Sequence, residues 1–158
     1  MKRYFLLLCI SLIFAFTANA QVAKVYNETI DPMAQIDKAL AEAKQSGRFV
    51  ICQLGGNWCP WCLRFADFIK SDEAVSKVVN DNFVYIHVNY PRKGAAKNLM
   101  DRLGNPSRFG FPVMVVLNND GKVIHTQDSS FLEEGKSYNT NKVLRFFKCW
   151  TPKAVKSE

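Results

Sequence analysis

Cys59 and Cys62 stand two residues apart in GGNWCPWCLRF, the stretch from Gly55 to Phe65. Thiols at that spacing can close as a lasting disulfide, clip a metal ion, or trade an electron pair with other disulfides. As a staple the pair would be weak, because so short a loop removes little entropy from the unfolded chain. Zinc would need two further ligands, usually another close Cys or His pair, and Cys52 and Cys149 are isolated. Covalent haem attachment is excluded, since Leu63 stands where the C-x-x-C-H motif needs histidine. Electron exchange is the favoured reading. Its strength depends on the compartment and on the elements that hold the pair.

The chain opens MKRYFLLLCISLIFAFTANAQ. Lys2 and Arg3 are followed by an almost wholly apolar run from Tyr4 to Phe16, then by the small-x-small pattern Ala18-Asn19-Ala20. The run is short against the roughly 20 residues a membrane-spanning helix needs. Residues 1–20 are therefore expected to be a cleaved signal peptide, with 21–158 forming one domain in the periplasm or secreted. Cys9 lies inside the apolar run behind Leu8, which does not suit lipid attachment. Removing 20 of 158 residues leaves 138, enough for a single core. Loss of Lys2 and Arg3 lowers the formal charge from +7 to +5. The remaining basic residues are spread out, with only a loose cluster at Arg92, Lys93, Lys97, Arg102 and Arg108. That pattern reads as a solvated face, and nucleic acid is not expected as a partner. Of the five cysteines, Cys52, Cys59, Cys62 and Cys149 would remain. With 48% hydrophobic residues the chain can build a core without disulfide staples.

The elements that must position the pair follow from pattern and punctuation. Asp31-Pro32 starts a helix in which Met33, Ile36, Leu40 and Ala43 recur at helical spacing, and Gly47 stops it. Arg48–Leu54 reads as a short buried strand. Gly55-Gly56-Asn57 is a turn, and Pro60 opens a second helix running to about Lys70. Ser71-Asp72-Glu73 restarts a helix, and Phe83–Asn89 is a strand rich in β-branched and aromatic residues. A helix is expected over Ala95–Leu103. Strands Val113–Leu117 and Lys122–Thr126 flank the hairpin signal Asn118-Asn119-Asp120-Gly121, and Asn141–Trp150 closes as an amphipathic helix. The order α-β-α-α-β-α-β-β-α implies an α/β fold, a central mixed sheet with helices on both faces.

This placement puts Cys59 at a helix N-terminus, where unpaired N–H groups and the macrodipole favour a thiolate, the reactive form of cysteine. Cys62 lies one turn deeper, placed to attack a mixed disulfide formed at Cys59.

Trp58-Cys59-Pro60-Trp61-Cys62 after an apolar strand, with Gly110-Phe111-Pro112-Val113 before the hairpin, resembles the thioredoxin superfamily. More narrowly, the chain is similar to exported bacterial thioredoxin-like proteins with a W-C-x-W-C site. The likeness runs from about Asp31 to Pro152 and implies the thioredoxin fold. It implies Cys59 as nucleophile, Cys62 as resolving thiol, and Trp58, Pro60, Trp61, Phe111 and Pro112 as the surface that meets substrate. Pro112 matches the family's cis-proline, beside which the preceding backbone pairs with an extended client segment. Two positions depart from the pattern. Gln53 occupies a position that commonly holds a buried acid, and Phe111 one that is often small or β-branched. Gln53 is expected to order the site while solvent or another residue takes the proton from Cys62.

The resemblance implies an exported thiol–disulfide oxidoreductase that reduces or exchanges disulfides in other exported proteins. It would need no bound cofactor or metal, act as a monomer, and draw electrons from an upstream donor, with a membrane-embedded reductase the family-level expectation. The alternative is a non-catalytic client-binding or assembly module. His87 and His125 read as structural, Arg64 as an uncertain electrostatic neighbour, and Cys52 as a buried small hydrophobe. Cys52 and Cys149 are expected to resist a polar alkylating agent in the folded protein. A bridge between them, from strand to final helix across one sheet face, is the competing possibility.

Overall fold

The computed structural model describes residues 24–91 and 97–156. The expected signal peptide, Cys9, Arg92, Lys93, and the start of the helix expected from Ala95 lie outside the described residues.

Helix α1 (Pro32–Ser46) begins where Asp31 accepts hydrogen bonds from the Met33 and Ala34 amides, and it ends at Gly47, whose φ of 70° suits glycine. Strand β1 (Phe49–Gly55) leads through a short turn into α2 (Pro60–Ser71) and α3 (Glu73–Asn82). Asp72 breaks the α2–α3 run and caps α3 through the Val75 amide. Strand β2 (Phe83–Asn89) follows, then α4 (Lys97–Arg102). Strands β3 (Val113–Leu117) and β4 (Val123–Asp128) form the expected hairpin, where Asn118 accepts from the Asp120 and Lys122 amides and Gly121 takes a φ of 77°. A two-residue pair, β5 (Glu133–Glu134) and β6 (Ser137–Tyr138), precedes α5 (Thr140–Cys149) and α6 (Pro152–Lys156).

The main sheet has the order β2-β1-β3-β4. Strand β1 runs parallel to β2 and antiparallel to β3, and β4 is antiparallel to β3. The mixed sheet and helices on both faces match the sequence reading. The β5–β6 pair, α6 and two short 3₁₀ turns at Pro106–Phe109 and Ser129–Leu132 are additions that periodicity could not reveal.

Alternation along the strands divides the core in two. Val50, Cys52 and Leu54 join Val84, Val88 and Val115 under α1 and α4. Phe49 and Ile51 join Phe83, Met114 and Val116 under α2, α3 and α5. Gln53 has the parity of Phe49 and Ile51, so it belongs to the face that α2 covers. Cys52 belongs to the other face, away from α5 and Cys149. The bridge between those two cysteines is therefore absent, and both are free.

The described members of the basic cluster, Lys97, Arg102 and Arg108, are held in polar contacts at the surface. Arg102 pairs with Asp37 at 2.6 Å, Lys97 with Asp101 at 2.5 Å, and Arg108 binds the Gly104 and Asn105 carbonyls.

Candidate active site

Three pieces of chain meet at the N-terminus of α2. Cys59 is the N-cap residue with extended backbone, and Pro60 occupies the first turn. The two cysteines are bonded to each other, with Cα atoms 5.2 Å apart. The Cys62 amide donates to Cys59 Sγ at 3.2 Å. This is the helix-terminus donor that would meet a thiolate once the bond opens. Cys62 is fully buried and Cys59 is 6% exposed. Cys59 is thus the more accessible residue of the pair, though largely covered, because Trp58 and Phe111 pack around it.

The loop before β3 forms the second piece. The Phe111–Pro112 peptide is cis, and the Phe111 carbonyl oxygen lies 3.7 Å from Cys59 Sγ. The Phe111 ring stands edge-on to Trp58 at 5.5 Å and packs on Tyr90 at 4.8 Å. Trp58 donates its indole N–H to the Tyr90 carbonyl at 3.3 Å. Trp58 and Phe111 are half-buried, Pro112 is buried and Pro60 is exposed. Trp61 is half-buried too, with its ring edge-on to Tyr138 and the Arg64 guanidinium 4.5 Å above it. Arg64 therefore points along Trp61. Tyr138 also donates its hydroxyl to the Trp61 carbonyl at 3.1 Å.

The third piece lies behind Cys62 and is built on Gln53, as expected, but with tyrosine partners that the sequence reading did not include. Gln53 is fully buried and bonded at both ends of its amide. Its Nε2 donates to the Tyr26 hydroxyl at 2.5 Å and to the Cys62 carbonyl at 3.0 Å, while its Oε1 accepts from the Tyr85 hydroxyl at 2.6 Å. Burial pushes both phenols above their ordinary range, so they keep their protons. Tyr26 arrives from the segment before α1, held by Asn57. That side chain accepts from the Val25 and Tyr26 amides at 3.0 Å each and donates to the Tyr26 carbonyl at 2.8 Å. The sequence marks Asn57 only as a turn residue and assigns Tyr26 to no element. The visible signal was a polar Asn within the turn that precedes the cysteines.

His87 sits opposite Gln53 in the β1–β2 register, edge-on to Tyr26 and Tyr85 at 5.4 Å each. Burial pushes its imidazole down to about 4, and its Nε2 has no hydrogen-bond partner among the described residues. His125 stacks on Trp150 at 4.2 Å. Cys52 is buried and its thiol is pushed up to about 12 by that burial. Cys149 is exposed, contrary to expectation. On α5 the buried residues are Val143, Phe146 and Phe147, and position 149 falls outside that stripe. Among the described residues no cluster of His, Cys, Asp or Glu could hold a metal ion. No helix among them is long and apolar enough to cross a membrane.

A bonded C-x-x-C pair at a helix N-terminus, on a mixed sheet flanked by helices, supports thiol–disulfide oxidoreductase chemistry on a thioredoxin fold. The Thioredoxin-like family profile matches residues 31–119, more than half of the chain, and the protein belongs to that family. Among solved structures it is similar to a disulphide isomerase from Xylella fastidiosa Temecula1, at 25% identity and a TM-score of 0.68. That match covers 78% of this chain and 93% of the other. A thioredoxin from Thermus thermophilus shares the fold at 24% identity and a TM-score of 0.52, covering 75% and 85% of the two chains. A search of curated proteins returns no match.

Proposed function

We propose that this protein is an exported thiol–disulfide oxidoreductase that reduces or exchanges disulfides in other exported proteins. The observation that carries the reading is the Cys59–Cys62 pair at the α2 N-terminus, with the Phe111 backbone 3.7 Å from Cys59 Sγ. In the dithiol form the Cys59 thiolate attacks one sulfur of a client disulfide, and the other client sulfur leaves as a thiolate that takes up a proton. Cys62 loses its proton to solvent and attacks Cys59 Sγ, releasing the second client thiolate. The client gains two electrons, and the Cys59–Cys62 disulfide is the oxidised product. The likeness to a disulphide isomerase supports the exchange side of this reading.

Trp58 and Phe111 flank the sulfurs, and the Phe111 backbone offers an extended client segment a place to pair. An upstream dithiol donor, a membrane-embedded reductase by family expectation, would restore the thiols. The leader-like residues 1–20 support export. Insulin reduction driven by a chemical dithiol tests the reading. The parent chain is expected to accelerate precipitation of the insulin B chain, and Cys59→Ser to fall to the uncatalysed rate. Equal rates for the two proteins would favour the client-binding alternative.

A further inference from the structure

Tyr26 is where the hydrogen-bond inventory of the site does not close. Both amide hydrogens of Gln53 are used, one on the Tyr26 hydroxyl oxygen and one on the Cys62 carbonyl. The carbonyl fixes the orientation of that amide, because a flipped Gln53 would face it with a second acceptor. Tyr26 therefore accepts from Gln53, and its own phenolic hydrogen has no acceptor among the described residues. The hydroxyl is not idle in space. A Cβ built on Gly55 would overlap Cys62 Sγ and lie 2.8 Å from the Tyr26 hydroxyl oxygen. Phenol and sulfur thus converge on the one hole that a glycine leaves in β1. With the Cys59–Cys62 bond closed, Tyr26 is 1% exposed and Cys62 fully buried, so in this form no ordinary solvent contact serves either group.

A buried thiol resists ionisation, and a hydrogen bond to the anion is the direct remedy. We propose that the Tyr26 hydroxyl donates to the Cys62 sulfur once the Cys59–Cys62 bond is open, holding Cys62 as a hydrogen-bonded thiolate ready to resolve a mixed disulfide. Tyr26 keeps its proton throughout. The proton lost by Cys62 passes to solvent, and the departing client thiolate recovers one from solvent. Gln53 orients the phenol, and Asn57 holds the segment that carries it. The inference deepens the exchange reaction proposed above and rests on it for its purpose, but Cys62 ionisation can be measured with no client present.

The test uses the chain with Cys9→Ser, Cys59→Ser and Cys149→Ser, which leaves Cys62 and Cys52, the latter pushed up to about 12 by burial. Ultraviolet thiolate absorbance is followed from about pH 6 to pH 10, around the ordinary cysteine value. Tyr26→Phe keeps the ring and is expected to raise the Cys62 pKa by about one to two units, the size of a hydrogen bond to a charged group. Tyr85→Phe, which removes a hydroxyl from the far end of Gln53, is expected to shift it clearly less. Superimposable titrations of Tyr26→Phe and its parent would overturn the proposal, as would equal shifts from the two tyrosine variants. Should Tyr26→Phe not fold, the Tyr26 Cζ carbon resonance is read in the parent titration. It must move with Cys62 ionisation, and a flat response overturns the proposal. A Tyr26→Phe shift in this titration, found while the chain that keeps both Cys59 and Cys62 fails to reduce insulin, supports the hydrogen bond while counting against the reductase reading.

Discussion

Gln53 is polar, fully buried and bonded at both ends of its amide, so changing one atom of it changes what its neighbours face. Gln53→Glu keeps an acceptor for Tyr85 but sets a carboxylate oxygen against the Cys62 carbonyl. The variant is expected to lose about 2–3 kcal/mol at neutral pH, the cost of a buried polar group left facing the wrong partner. Its sign with pH follows from protonation. Burial raises the carboxyl above its unfolded value, so the deficit grows as pH rises past that value and shrinks on acidification, when the protonated acid can donate to the carbonyl. Urea unfolding at pH 7 and pH 5 reads the gap. The two sulfurs divide by depth in the same way. Cys62→Ser is expected to accumulate mixed disulfides with client proteins and Cys59→Ser to accumulate none, as read by non-reducing electrophoresis. Equal trapping by both would contradict the assigned roles. A polar alkylating agent added to the folded, reduced protein is expected to label Cys149, which is exposed, and to spare Cys52. Mass spectrometry of the digested protein distinguishes these sites.

Strands β1, β2 and β3 were legible because branched and aromatic residues crowd short runs bounded by turn residues, and α1 because its cap and stop are written as Asp31-Pro32 and Gly47. The cysteine pair was legible because its spacing and the following Pro60 locate it on a helix start. Tyr26 was not, since the residues before Asp31 have no periodicity and acquire their place only through the side chain of Asn57. Nor were β5 and β6, at two residues each. The Cys149 error was avoidable, because the apolar stripe of α5 already excluded that position. Two predictions belong to elements. Asn57→Ala removes three hydrogen bonds to backbone groups of Val25 and Tyr26 and is expected to cost about 2–3 kcal/mol. Hydrogen exchange should quicken at Val25 and Tyr26 while α1 stays protected. In β2, the His87 imidazole is pushed down to about 4 by burial, below the ordinary unfolded value of about 6.5. Its neutral form is favoured by folding, so stability is retained above the unfolded value and lost as pH falls toward the folded one. His87→Phe is expected to reduce the loss between pH 7 and pH 5 by on the order of 1 kcal/mol, discounted for the partial exposure of the ring. Thermal melts of both proteins at the two pH values measure it.

The redox couple is a property of the entire fold, since the same two sulfurs are reducing or oxidising according to what stabilises the open form. Pro60 and Trp61 place neither a charge nor an imidazole between the cysteines. A couple in the broad range of about −200 to −270 mV is expected, and a value near −120 mV would overturn the reductase assignment. Equilibration with glutathione of set ratio gives the number. The family match begins at residue 31, yet the back of the reaction centre is formed by Val25 and Tyr26. A chain cut to start at Asp31 would keep α1, the four-stranded sheet and both cysteines. It would nevertheless lose the apolar wall that keeps Cys62 dry. In such a shortened protein the inner sulfur becomes hydrated from behind, and the two thiols are expected to lose their difference in reactivity toward small electrophiles. The boundary of the catalytic unit is thus set by where water is stopped, several residues ahead of where the shared family pattern begins.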